Sequence, residues 1–498
     1  MGIKGTSNRE AILAADNDGR VAKVVLRSRA DVLREALRQR LRSSLLVVRL
    51  PGGSDGSTAL SVLKATTRRG DLLFAVEAPA SLRRRLLALG ALGLGSGRNV
   101  RSDTTRTDGL VSATDIAPTT MKRLGVEIPD TADGQPIETG GNRSADDLTD
   151  LKDRLAEVGP RRWRTIVGGL AGATVIAAIL MVASEGRSRR IARAACLAAL
   201  WLPAVLLVTG ALAPTRLGEL ALIAGTCAVL ALATDGLIRW PRAIALPAAV
   251  TVVSHVVDLA FGSELIQRSL LGPNPILGAR FFGVGNELEV TLGVIGLLGL
   301  GALLANASRS RLVWGFVAGG SALALMLSWG KLGADVGASI MLAAGTAAAA
   351  VACLGERPGR ARIALIAAAP VVALGALSLL DIATGGGAHF TRSVLDAGGL
   401  GELADIAQRR VELSYRSLTR GIIGGLVALA VIALIWGVRS RRRLLDPLRA
   451  TPALQAGLIG AFVAVVTGAL SNDSGPMILL IGTCYLGLSA GYFLAAAK

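Results

Sequence analysis

The sequence is poor in charged and aromatic residues for its length. Only 18% of its 498 residues are charged and 3% are aromatic, whereas 52% are hydrophobic and the mean hydropathy is +0.54. Soluble globular chains carry about 25% charged residues, and a soluble chain of this size would divide into several domains with polar surfaces. The low charge therefore excludes a string of soluble domains and predicts a multi-pass membrane protein.

Cysteine and histidine are also scarce. The four cysteines all fall inside apolar runs: Cys196, Cys227, Cys353 and Cys484. No pair has the spacing of a disulfide framework or of a CxxC metal-binding knuckle. The two histidines, His255 and His389, stand far apart in the chain. We therefore expect no metal site and no cofactor.

Acidic residues are outnumbered by basic ones. The chain has 54 Lys and Arg against 36 Asp and Glu, a net charge of +18. Such a surplus can indicate a nucleic-acid partner, but here many bases form short clusters between apolar stretches, as in the cytoplasmic loops of membrane proteins. We expect contact with membrane lipids and no nucleic-acid partner.

The composition changes near residue 160. Residues 1–160 contain no apolar run long enough to span a bilayer, whereas residues 161–498 contain apolar stretches of roughly 17–23 residues, the length that a spanning helix needs. Eleven stretches qualify: about 165–184, 194–213, 218–234, 243–262, 284–305, 312–328, 334–355, 363–382, 421–438, 453–471 and 475–496. The predicted fold is a mainly α, polytopic helical membrane protein of about 11 transmembrane helices with a small N-terminal α/β domain.

Arginine clusters give the expected orientation. They occur in every second loop, at 187–193, 239–242, 309–311, 357–362 and 439–443. The positive-inside rule makes these loops cytoplasmic, which places the N-terminal domain outside a plasma membrane and the C-terminus inside. Residues 1–20 lack the apolar core of a signal peptide. Either an upstream export segment precedes this chain, which we favour, or the orientation is inverted.

Residues 1–160 alternate short β-branched runs with helical stretches. The predicted strands are 21–26, 45–50 and 71–77, and the predicted helices are 30–41, 57–67 and 81–89. This order is typical of an α/β layer structure with a largely parallel sheet.

Residues 105–137 carry a recognisable motif. They read TRTDGLVSATDIAPTTMKRLGVEIPDTADGQPI, with T-D-I-A-P-T at 114–119, L-G-V at 124–126 and D-G at 133–134. Here Asp115 is expected to cap a helix and Gly125 to end it. The segment resembles the C-terminal signature of the alkaline-phosphatase-like superfamily of sulfatases, phosphoglycerate mutases and nucleotide phosphodiesterases.

That resemblance implies two-metal phosphoryl or sulfuryl transfer, which needs Asp and His ligands and a Ser or Thr nucleophile. Residues 1–160 contain no histidine, and they are less than half the length of a complete domain of this kind. We therefore expect a truncated or degenerate phosphatase-like domain, located outside the cell.

Polar residues in the apolar half collect at the ends of the spans that face outward in this topology. Polar groups inside membrane spans are costly and are functional candidates. We expect Glu287 or Asp335 to act as acid or base. The expected substrate-binding residues in and beside the spans are Asp258, Arg280, Asn286, Glu289, Lys331, Asn472 and Asp473.

The outer loop at about 383–420 adds His389, Arg409 and Arg410 to the predicted binding residues. Arginine pairs can hold phosphate through two hydrogen bonds. The alternative for each polar residue is a simple helix cap in the headgroup layer.

The GARFFGVGNE, GADVGA and SNDSG stretches, behind a phosphatase-like domain, resemble a group of bacterial envelope membrane proteins with the same two-part layout. We expect an outward-facing site for an anionic precursor, such as a lipid-linked saccharide or polyprenyl phosphate, with glycosyl or phosphoryl transfer as its chemistry. The alternatives are a transporter or flippase, a non-catalytic scaffold, or a metal-dependent hydrolase if an upstream half exists.

Overall fold

The computed structural model describes residues 32–40, 42, 44–50, 52–77, 86–129, 132–182, 186–278, 280–355, 358–384 and 422–496. The chain divides into two compact units, Met1–Lys152 and Asp153–Lys498. The second unit begins inside a helix, Ala145–Val158, a little ahead of the division predicted at residue 160.

The first unit holds short helices and two small sheets. In chain order its elements are α1 (Val32–Arg40), α2 (Ser54–Thr66), β1 (Leu73–Val76), β2 (Leu89–Leu92), β3 (Asn99–Arg101), α3 (Ile116–Leu124), β4 (Glu138–Gly140) and α4 (Ala145–Val158). Strand β1 pairs antiparallel with β2, and β3 pairs antiparallel with β4. Elements α1, α2 and β1 lie on the stretches predicted for them.

The predicted parallel sheet is wrong for the described part of this unit, where both sheets are two-stranded antiparallel ribbons. The Glu77 N–H donates to the Ala88 carbonyl at 2.9 Å, so the chain turns back on itself instead of crossing over. Residues 45–50, predicted as a strand, have no regular structure. The predicted strand 21–26 and most of the predicted helix 81–89 lie outside the described residues.

The motif at 105–137 folds as a turn followed by a short helix. Ser112 caps a single turn of 3-10 helix and forms a capping box with Asp115. The side chain of Asp115 makes no cap to α3 itself, so that prediction is wrong, and the side-chain cap is made by Ser112 on the 3-10 turn before α3. Gly125 ends α3 with φ of 68°, as predicted, because glycine adopts this left-handed conformation without strain.

All regular secondary structure in the described residues of the second unit is helical. Its helices are α5 (Arg162–Val182), α6 (Gly186–Leu212), α7 (Arg216–Leu237), α8 (Ala245–Ala260), α9 (Glu264–Arg268), α10 (Asn286–Leu303), α11 (Arg309–Ser328), α12 (Val336–Ala352), α13 (Arg360–Ala383), α14 (Ile423–Arg439), α15 (Arg441–Leu445), α16 (Pro452–Ser471) and α17 (Gly475–Ala496). Every predicted apolar stretch falls on one of these helices.

Fewer helices than predicted qualify as membrane spans. Within the described ranges, eight are long and apolar enough to cross a membrane, or nine if α14 and the bent segment after it form one span. Helix α12 is apolar but has only 17 residues, because irregular backbone at 330–335 precedes it. The count of eleven is therefore not reached by these criteria.

Helices α10, α12 and α16 form the centre of the unit and pack through small residues. A Cβ on Gly460 would lie 2.6 Å from the Gly345 carbonyl oxygen, and one on Gly457 would lie 2.7 Å from that of Leu297. Such close backbone contact is typical of helix packing in membranes. It brings together the first turns of α10 and α12 and the turn between α16 and α17.

Candidate functional site

Four segments meet at this end of the central helices: the loop before α10, the first turn of α10, the residue that precedes α12, and the α16–α17 turn. The loop and the segment before α12 run in direct contact. The Val284 N–H donates to the Gly333 carbonyl at 2.8 Å, and a Cβ on Gly283 would lie 2.3 Å from that oxygen. Gly283 has φ of 76°, so this contact requires glycine.

Glu289 and Asn472 form the innermost pair. Glu289 is fully buried on α10, and the Nδ2 of Asn472 donates to both of its carboxylate oxygens at 3.3 Å. A Cβ on Gly337 would lie 2.3 Å from Oδ1 of Asn472, so the glycine makes room for the amide. One turn earlier on the same face of α10, the Nδ2 of Asn286 donates to Asp473 at 2.8 Å.

Asp335 caps α12 and faces a guanidinium group. Its Oδ1 accepts a hydrogen bond from the Gly337 N–H at 3.1 Å, and its Oδ2 lies 3.3 Å from Nη1 of Arg280. Only 2% of Asp335 is exposed, and Oδ2 has no hydrogen-bond partner within the described residues. Arg280 is therefore the cation that faces this buried carboxylate.

Arg280 is fixed through a single nitrogen. Its Nη1 donates to the carbonyls of Val284 and Ala334 and pairs with Asp335. Its Nε and Nη2 have no partner in the part of the chain that the structure describes, and 32% of the side chain is exposed. This free edge has the two parallel N–H donors that bind a phosphate or carboxylate.

We define the polar cluster as Arg280, Asn286, Glu289, Asp335, Asn472 and Asp473. It unites six of the twelve residues predicted for the site. The free edge of Arg280 can orient an anionic ligand, and the two buried carboxylates, Glu289 and Asp335, can accept or donate protons beside it. Within the described ranges, no group of three or more His, Cys, Asp or Glu residues is placed to hold a metal ion.

Three predicted residues lie elsewhere. Asp258 accepts hydrogen bonds from the backbone N–H groups of Leu265 and Ile266 at 3.1 and 2.8 Å, so it fixes the start of α9. Lys331 is exposed and donates to the Thr384 carbonyl at 3.1 Å. Glu287 lies outside the cluster because its position on α10 is not on the helix face that Asn286 and Glu289 share.

The remaining predicted residues, His389, Arg409 and Arg410, lie outside the described residues.

The structure contains a second buried charged group that the sequence did not predict. Glu219, in the first turn of α7, is fully buried and pairs with Arg154 at 2.6 Å and Arg161 at 2.8 Å. Beside it, Arg162 donates to the Gln267 and Gly272 carbonyls at 2.6 and 2.8 Å. The sequence does indicate Glu219 as a candidate, because it is an acidic residue in the first turn of an apolar helix. Its partners could not be predicted, because they precede the first predicted span.

Comparison with family models, with curated proteins and with solved structures gives no match to this chain. The polar cluster is therefore interpreted from its own chemistry.

Proposed function

We propose that this chain is a multi-pass protein of a bacterial plasma membrane whose polar cluster binds an anionic, lipid-linked precursor of the cell envelope. The membrane assignment is supported by large apolar side chains that point away from the protein. Leu217, Leu237, Phe261 and Leu470 are each at least 80% exposed, on helices or helix ends that qualify as spans. Apolar surface of this extent marks contact with lipid or a partner.

The helix order supports an outward-facing cluster. The cluster lies where α10 and α12 begin and α16 ends. The arginines 309 and 311, 360 and 362, and 439 to 443 lie at the opposite helix ends. With the arginine-rich end in the cytoplasm, the cluster opens to the outside.

The observation that carries the binding proposal is the free edge of Arg280. Its Nε and Nη2 have no partner within the described residues, while its Nη1 lies 3.3 Å from the buried carboxylate of Asp335. An arginine bound through one nitrogen and free at its other edge is ready to hold a phosphate in two hydrogen bonds. In glycosyl or phosphoryl transfer, Asp335 and Glu289 would supply the acid and base. We assign the second role to Glu289 because Glu287 lies outside the cluster.

Native mass spectrometry of lipids that co-purify in nanodiscs tests this proposal. We expect wild type to retain a polyprenyl-phosphate species that Arg280→Lys loses, because lysine keeps the charge but not the paired donors. Arg216→Ala, which removes an exposed arginine at the same end of the unit, is the control and should retain the lipid. Bulk phospholipid alone in all three proteins would refute the proposal.

Transport is the second candidate function. It is favoured by the burial of Glu289 and Asp335, which are 0% and 2% exposed, because buried intramembrane carboxylates often form ion pathways. The two functions are distinguished by comparing activity in detergent with activity in sealed vesicles. A transferase converts its lipid-linked substrate in detergent, whereas a transporter moves it only between the two sides of a sealed bilayer. Glu289→Gln abolishes either activity, with Glu287→Gln as the matched control.

The first unit is proposed to be a degenerate phosphatase-like domain without catalysis. Support comes from Asp115, the acidic residue of the motif, whose fully buried carboxylate accepts four hydrogen bonds. The donors are the Ser102 and Thr104 hydroxyls and the backbone N–H groups of Ser112 and Gln135. A carboxylate used in this way ties the segment together and is not available to a metal ion.

A further inference from the structure

Helix α14 contacts the rest of the second unit unevenly along its length. Near its start, Val427 and Ala430 are buried against Leu480 of α17. Further on, Val431, Ile435 and Val438 are 40 to 46% exposed. The second half of α14 therefore leaves an apolar strip uncovered.

This strip forms one wall of a groove of about 380 Å³ between α14 and α16. Its lining residues are Val431, Leu434, Ile435, Val438, Phe462, Val466 and, where α14 ends, Arg439. The α14 residues recur every three or four positions and so form a continuous stripe along one helix face. The result is an open apolar groove with a cation at one end.

Beyond Arg439 the chain bends by 76° into the segment Arg441–Leu448. Leu448 is fully buried, which anchors this segment to the unit. Three further arginines, Arg441, Arg442 and Arg443, are exposed at the bend. Within the described residues none of the four arginines has a carboxylate partner, whereas the nearby Arg449 pairs with Asp446 at 3.0 Å.

We propose that this groove binds one acyl chain of an anionic phospholipid and that Arg439 and the arginines after the bend hold its phosphate. The groove excludes a purely polar ligand because its walls are apolar, and the four unpaired arginines favour a negatively charged headgroup over a zwitterionic one. The site lies at the arginine-rich end, opposite the polar cluster, and its ligand is a structural lipid instead of a substrate.

The test uses the full-length protein exchanged into detergent with phosphatidylglycerol and phosphatidylcholine, followed by native mass spectrometry of retained lipid. We expect wild type to retain phosphatidylglycerol over phosphatidylcholine. Arg439→Gln with Arg442→Gln should weaken retention by roughly thirtyfold, the factor for two interfacial arginines. Arg309→Gln with Arg311→Gln, which removes two exposed arginines at the same end but away from the groove, should leave retention unchanged.

Two further variants isolate the groove from the charge. Val466→Trp and Ile435→Trp each fill the groove while keeping every arginine, and both should lose the retained lipid while the folded protein is still recovered from the detergent. Equal retention in wild type and these variants would show that surface charge alone attracts lipid, and would overturn the proposal. Displacement of the lipid by inorganic phosphate would overturn the proposal as well. So would a wild-type dimer that becomes monomeric when the groove is filled, because the groove would then be an interface between two copies of the chain.

This test measures phosphatidylglycerol binding at the arginine-rich end. Its failure would therefore leave the proposed role of Arg280 unaffected. Conversely, loss of polyprenyl phosphate from Arg280→Lys does not depend on the groove.

Discussion

Asn472 and Asn286 each place a side-chain amide against a carboxylate, but in different surroundings. Asn472 is 9% exposed and donates hydrogen bonds to Glu289, which is fully buried. The Asn286–Asp473 hydrogen bond, in contrast, is exposed. An unsatisfied buried carboxylate costs more than a solvated one, because water cannot replace the lost donor. The same chemical change therefore has different consequences at the two positions.

We predict that Asn472→Ala lowers the free energy of unfolding by about 1–3 kcal/mol, and that Asn286→Ala lowers it by less than about 1 kcal/mol. Thermal unfolding of the purified proteins in one detergent measures both. Equal losses would mean that Glu289 finds another donor when the amide is removed.

The sequence predicts all four of these residues as members of the site, but not which of them pair. The spacing of Asn286 and Glu289 places them on one helix face, and both contact the same turn. Their partners stand 187 and 183 positions away. A single sequence carries no signal for such contacts, because they depend on which helices pack together.

Helix α7 is fixed at its start by a charged group rather than by apolar contacts alone. The Glu219 carboxylate binds Arg154 of α4 and Arg161 just before α5, so this side chain joins the start of α7 to two segments that precede α5 and α6 in the chain. Removing one partner of a buried ion pair leaves the others uncompensated.

We predict that Glu219→Gln lowers the free energy of unfolding by about 3–5 kcal/mol. Asp235→Asn is the matched control. Asp235 pairs with Arg193 at 2.9 Å near the other end of α7, where the two side chains are 28% and 11% exposed, and because it has one arginine partner instead of two, its loss should cost less, about 1–2 kcal/mol. Chemical unfolding of both variants checks the difference, and a Glu219→Gln protein as stable as wild type would contradict it.

Helix positions in the second unit follow from the sequence because a spanning helix satisfies its own backbone and needs only a continuous apolar run. Strands need a partner. Residues 45–50 have the composition of a strand but no regular structure, whereas residues 73–76 pair with 89–92. Similarly, α12 is shorter than the apolar run that predicts it, because Gly333 and Asp335 are used in contacts with other segments.

At the scale of the whole molecule, the alternation of basic and polar helix ends is the basis of the proposed orientation. We predict that, in a variant whose four cysteines are replaced by alanine, Arg216→Cys is labelled from outside the cell by an impermeant maleimide. Arg309→Cys should be labelled only after the membrane is opened. The reverse pattern would invert the orientation and place the polar cluster in the cytoplasm.

Cryo-electron microscopy of wild type in native nanodiscs tests the proposed binding site most directly. We predict phosphate density within hydrogen-bond distance of Nε and Nη2 of Arg280, continuous with an isoprenoid chain between the helices. Water alone at that edge, or Arg280 turned away so that both edges contact protein, would contradict the proposal that the polar cluster holds an anionic lipid-linked precursor.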